Sequence, residues 1–165
     1  SKEVNTINQS LKTFFFLAEV VSVDVTDIDN GDQIITISTL QAAVKSSTEA
    51  LVIRTIPNLP TKKNFMYSGD NPPYLEADAA TWLREHGVIH LLIDLPSVDR
   101  EEDEGKLEAH HNFWNYPTAP RTDATITELI YVPDEVPDGL YVLNLQICSL
   151  ETDATPSKPV LYSLH

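Results

Sequence analysis

Between Phe14 and Val25 the chain carries Phe14, Phe15, Phe16, Leu17, Val20, Val21, Val23 and Val25, and its second half alternates with Ser22 and Asp24. A period of two marks a strand, and the unbroken apolar start predicts burial on both faces first and on one face later, over Thr13–Val25. The polar stretch Thr26–Gln33, with Asn30-Gly31-Asp32, predicts a turn, and Ile34–Ile37 a short strand. Ser38 is placed to cap a helix over Thr39–Lys45, and Leu51–Ile56 reads as a strand stopped by Pro57 and Pro60. Leu75, Ala79, Ala80, Trp82 and Leu83 keep helical spacing, so a helix is expected over Glu76–His86 with Gly87 as its stop. Helix, glycine and the apolar run Val88–Ile93 form the second half of a crossover unit, which makes that run a central strand parallel to a neighbour.

Beyond it, Pro96 sets a turn, the acidic loop Glu101–Glu104 closes at Gly105, and Lys106–Trp114 predicts a short helix carrying Leu107, His110, His111 and Trp114. Ala124–Tyr131 reads as a strand with Glu128 in its middle, Pro133–Gly139 as a turn, Leu140–Ile147 and Pro159–Ser163 as strands, and Glu151–Lys158 as a loop. Strands outnumber helices, and neither a repeat nor a linker interrupts them. The expectation is one α/β domain over 1–165, with a mixed β-sheet core flanked by helices. Thr61–Tyr74 has no period and is long for a loop. Such loops often line sites, which makes Phe65, Tyr67 and Tyr74 candidates for a substrate wall, beside the reading that its aromatics tuck into the core.

Charge and cysteine usage narrow the function classes. With 25 acidic against 11 basic residues the net charge is −14, which opposes phosphate backbones and anionic membranes, so nucleic acid is not an expected partner. No run approaches the ~20 apolar residues of a membrane span, and the acidic flank of Phe14–Val21 argues against a signal core. One cysteine, Cys148, excludes an intramolecular disulfide and fits a cytoplasmic protein; its strand-like surroundings predict a buried, inert thiol.

Among the five histidines, His86 suits a helix end, His90 lies inside a buried strand as a core histidine, and His165 is terminal. The pair His110-His111 differs: neighbours on a helix point ~100° apart, so one ring can face a site while the other packs or meets solvent. A mid-strand carboxylate such as Glu128 must be paired, protonated or bound to a cation, with Arg121 or a wet strand face as the other solutions. Asp94, Ser97 and Asp99 are placed to cap the following helix and bind backbone amides. The chain has no glycine-rich phosphate loop, Cys-x-x-Cys, nucleophile elbow or His-Glu-x-x-His. One histidine and one glutamate remain that could form half of a metal site, with a purely structural role for Glu128 equally open.

The Gly87-Val88 opening, Ile93-Asp94, Pro96-Ser97-Val98-Asp99, Ala109-His110-His111, Glu128, the Pro137-Asp138-Gly139-Leu140-Tyr141 turn and the closing Asp153–Val160 together resemble the cyclase family of metal-dependent hydrolases, which includes bacterial kynurenine formamidase. The resemblance implies a swivelling β/β/α fold and a divalent metal, zinc or manganese, that activates water to hydrolyse a small amide, formamide or lactone. By position it implies His110 and Glu128 as metal ligands and His110 as the acid–base group. The family's upstream His-x-Gly-Thr-His-x-Asp motif supplies its other ligands, whereas no histidine precedes His86 here, so the chain resembles one that starts just past that motif. A catalytic zinc takes about three protein ligands plus water, so His110 and Glu128 alone are expected to bind metal poorly. Hydrolase and non-catalytic binding or assembly domain both stay open, and exposed strand edges and apolar surface favour a homo-oligomer.

Overall fold

Alternation along the strands sets two opposite apolar faces on one sheet. The computed structural model describes residues 5–164; His165 lies outside them. In chain order the strands are β1 (Phe15–Asp24), β2 (Thr26–Asp27), β3 (Gln33–Ile35), β4 (Ala50–Ile56), β5 (Tyr74–Leu75), β6 (His90–Ile93), β7 (Thr125–Thr127), β8 (Gly139–Ile147) and β9 (Ser157–Ser163). Six of them form a mixed sheet in the order β7-β6-β4-β1-β8-β9, and β2-β3-β5 form a small second sheet. β1, β4, β6 and β7 run parallel, while β8 pairs antiparallel with β1 and β9 antiparallel with β8.

Val21, Val23, Leu51, Ile53, Leu91 and Ile93 project to one face, under α2 (Ile37–Ala43), α3 (Ala77–Glu85) and α4 (Glu108–Trp114), which follow the single-turn α1 (Ile7–Ser10). Each such side chain, fully buried, contributes about 1.5–3 kcal/mol. The intervening Ala18, Val20, Ala50, Val52 and Leu92 join Leu11, Leu143 and Leu145 on the opposite face. No helix among the described residues is long and apolar enough to cross a membrane.

Burial along β1 reverses the expectation. Phe15 and Leu17 are 64% and 42% exposed, whereas Ala18–Val21 are buried on both faces, because the helices reach only the carboxyl half of the strand. Glu19 is buried there, and its carboxylate accepts the Lys45 and Ser46 amides where α2 ends. Thr36 rather than Ser38 caps α2, accepting the Thr39 amide at 3.1 Å. Gly87 stops α3: at φ 91° it lets the Val88 amide reach the Leu83 carbonyl at 3.1 Å, a backbone position that glycine adopts without a Cβ penalty.

The loop Thr61–Tyr74 contains most of a 3₁₀ turn (Pro60–Asn64) and ends in β5. Asp32, 1% exposed, ties it down by accepting from Arg100 Nε, Asn71 Nδ2 and the Tyr74 hydroxyl, and Arg100 foremost holds its carboxyl well below the usual range. Cys148 corrects the buried-thiol expectation: it lies just past the end of β8 and is exposed.

Candidate functional site

The carboxyl ends of β6 and β7 supply one loop and one kinked segment, and α4 packs beside them. On α4 the four-residue spacing sorts the side chains: Ala109 and Phe113 are buried in the core, while His110 and Trp114 pack with their rings tilted, 5.0 Å between centroids, and line a cavity. His111 points away against Tyr116 at 4.9 Å. The cavity, about 1130 Å³, lies on the sheet face opposite most of the helices, with Val52, Leu92, Leu143 and Leu145 among its apolar wall.

Glu128 is not mid-strand. β7 ends at Thr127, and Leu129, at φ 54°, breaks the extended backbone while its amide still reaches the Leu95 carbonyl at 2.9 Å. The kink brings the Glu128 carboxylate to the Val98 amide at 3.0 Å, and Oε1 to 3.7 Å from His110 Nε2. Burial pushes the Glu128 carboxyl up, while the Val98 amide and His110 pull it the other way. Arg121 is not its partner: that guanidinium donates to the Phe113 and Val88 carbonyls. On its other side the His110 ring presents Nδ1 to Asp99 Oδ2 at 2.5 Å.

A separation of 3.7 Å is too long for a hydrogen bond. It is near the ~3.4 Å between two donors that each sit about 2.0–2.2 Å from one tetrahedral zinc. Imidazole nitrogen and carboxylate oxygen suit a divalent ion, so the pair fits in chemistry and spacing. It falls short in number: among the described residues no group of three or more His, Cys, Asp or Glu could hold a metal. Asp94, at the end of β6, is engaged elsewhere, with Lys62 Nζ at 2.8 Å and the Thr55 amide.

The three aromatic candidates of the long loop lie apart from this cavity. Tyr74 lines a separate polar pocket with Asp32 and Arg100, and Phe65 meets Tyr67 edge-on at 4.9 Å in neither pocket. Sequence reasoning missed Trp114 as a wall residue, although its spacing from His110 on a helix carried the signal.

The mixed sheet with helices crowded on one face is an α/β architecture shared with known metal-dependent hydrolases. The profile of the Cyclase family, described as "Putative cyclase", matches residues 2–100, more than half of the chain, and the chain belongs to that family. The match falls on the early strands as well as on the stretch after Gly87. A kynurenine formamidase of Bacillus cereus is 34% identical over 90 residues, covering 54% of this chain and 39% of that protein. The kynurenine formamidase of a second Bacillus cereus strain is 27% identical over 148 residues, covering 87% and 67%. A solved structure of a predicted metal-dependent hydrolase from Bacillus stearothermophilus superposes with a TM-score of 0.63 at 19% identity, over 98% of this chain and 69% of that one, which shows the fold. The chain thus spans from 39% to 67% of the length of these two formamidases.

Proposed function

We propose that this chain is the larger part of a metal-dependent hydrolase acting on a small amide of the arylformamide kind, with His110 and Glu128 as two of its metal donors. The observation that carries the reading is the approach of His110 Nε2 and Glu128 Oε1 to 3.7 Å in the lining of a largely apolar cavity. A divalent ion, zinc or manganese, would supply Lewis-acid activation of water and of the amide carbonyl. The chain's own groups do the rest. The Val98 amide fixes the Glu128 carboxylate, Trp114 packs against the His110 ring, and the apolar wall takes the substrate's hydrocarbon part and excludes bulk water. With Nδ1 against Asp99 and Nε2 given to the ion, the His110 ring has no nitrogen left for acid–base work, so the metal-donor role excludes the acid–base role while the ion is bound. Formamidase relatives support the reaction class.

Two donors leave an ion underbound, and we assign the remaining ones to a segment outside these 165 residues, which would make 1–165 an incomplete single domain. The donor count also supports the second reading, a non-catalytic binding domain. Elemental analysis and hydrolysis of an N-formyl arylamine, run on the 165-residue chain and on the longest polypeptide encoded around it, separate the two. The longer protein should carry stoichiometric metal and turn over substrate, and His110→Ala or Glu128→Ala should reduce both. A longer protein with no metal and no activity leaves the binding domain; full metal content in the short chain alone defeats the donor count.

Self-association has its own support. Phe15, Leu17, Leu140, Val142, Val160 and Tyr162 share the helix-side face of β1, β8 and β9, in rows such as Leu17–Val142–Tyr162, and among the described residues no helix covers them. They expose on the order of 500 Å² of side chain, more than half of one partner's share of a standard interface. Lys158 and Pro159 blunt the β9 edge against strand addition, so a second copy would pack face to face. The lone exposed thiol fits a cytoplasmic setting.

A further inference from the structure

Asp99, 7% exposed, uses its two carboxylate oxygens for different tasks. Oδ1 accepts the Ala109 amide at 2.6 Å in the first turn of α4, while Oδ2 lies 2.5 Å from His110 Nδ1 and takes the His110 amide more loosely at 3.3 Å. The loop that delivers Asp99 is itself fixed: the Asp99 amide donates to Ser97 Oγ at 3.1 Å, and the neighbouring Val98 amide holds Glu128. A carboxylate oxygen offers only lone pairs, so the proton of the contact with Nδ1 sits on the imidazole.

We propose that Asp99 is a positioning residue that holds neutral His110 in its Nδ1–H tautomer and so turns the bare Nε2 lone pair toward Glu128. The use of that lone pair rests on the reading of His110 as a metal donor; the tautomer itself does not.

Asparagine separates this role from helix capping. Asp99 accepts from α4 across a loop, with Leu107 at the N-cap position, and an amide oxygen accepts as a carboxylate oxygen does, so in Asp99→Asn that oxygen stays on the Ala109 N–H and the amide NH₂ takes the place of Oδ2. An NH₂ group only donates, so His110 must then present a lone pair at Nδ1 and carry its proton on Nε2. The cap survives and the tautomer inverts, the same logic that makes the Asp-to-Asn exchange in a serine protease triad damaging.

The test is the long-range ¹H–¹⁵N imidazole spectrum of the metal-free 165-residue chain, at a pH well above the ordinary imidazole range, with His110 assigned by its loss in His110→Gln. The expected result is a protonated Nδ1 in the unaltered chain and a protonated Nε2 in Asp99→Asn. An unaltered chain already carrying its proton on Nε2, or an Asp99→Asn chain still protonated at Nδ1, overturns the proposal. Should Asp99→Asn fail to fold, the tautomer of the unaltered chain decides by itself. Zinc titration against a chromophoric chelator, run on the longest polypeptide encoded around this chain, adds a second arm. Asp99→Asn should weaken zinc about 10- to 100-fold, and should weaken it no further once His110 is Gln. An equal zinc loss in both backgrounds overturns the positioning role. No zinc binding by the unaltered longer polypeptide would instead defeat the metal reading of the site, with the tautomer result standing on its own.

Discussion

Lowering the pH should destabilise this fold through one buried ring. His90 is 4% exposed, its ring lies 4.1 Å from that of Phe16, and its Nδ1 is 2.9 Å from Thr125 Oγ1. Burial pulls its pKa from 6.5 down to about 4; Asp123 opposes the shift and Arg121 adds to it. Between those two values the unfolded chain binds a proton that the folded chain refuses, so stability falls as pH falls. The contribution is complete above the unfolded pKa of 6.5 and gone below about 4. The gap corresponds to about 3 kcal/mol, a large share of the roughly 5–15 kcal/mol that holds a domain together. The perturbation is His90→Asn, whose amide can still meet the Thr125 hydroxyl but does not titrate. Urea unfolding of both proteins at steps from neutral pH to about pH 4 gives two stability curves, in which the carboxylates common to both cancel on subtraction. The unaltered protein should lose about 3 kcal/mol more than the variant, a relative midpoint shift of about 1.5 M urea. Parallel curves over that range would refute the reasoning, because His90 would then protonate in the folded state at no cost.

Arg54, 6% exposed, donates to Ser22 Oγ, the Pro133 and Val136 carbonyls and Asp138, stapling the 133–138 turn to β4. Arg54→Met should cost about 3 kcal/mol in denaturant unfolding and remove amide-exchange protection from that turn first, and an unchanged midpoint would contradict the staple. Leu17→Lys combined with Tyr162→Lys places like charges on the exposed sheet face and should convert a dimer to monomer in light scattering with little change in thermal midpoint. A dimer that survives both lysines uses another surface.

The buried halves of β4, β6 and β8 were legible because each run must satisfy its own backbone and bury its own apolar side chains, and a period of two or a continuous apolar stretch records that need locally. Gly87 likewise announced its turn, since the left-handed backbone it occupies is a property of that one residue. The boundaries that failed depend on something outside the segment. Phe15 and Leu17 look like core from their neighbours, and only the reach of the helices leaves them bare. Ile126 and Ile130 make Glu128 look mid-strand, but β6 ends at Ile93 and the loop after it draws the following backbone out of register.

For the candidate site, the amino-acid sequence determined the polar groups on offer: an imidazole on a short helix and a carboxylate near an apolar strand, with no glycine-rich loop or cysteine pair to compete. It also determined which neighbours share a helix face, so Ala109 and Phe113 go inward as His110 and Trp114 turn to the cavity. What only the tertiary structure decided is which groups meet. Asp99 reaches His110 across an 11-residue separation because the acidic loop doubles back, and Glu128 reaches both Val98 and His110 because β7 lies beside β6. Periodicity records how a segment buries itself, whereas a contact between distant segments depends on where every other segment has packed.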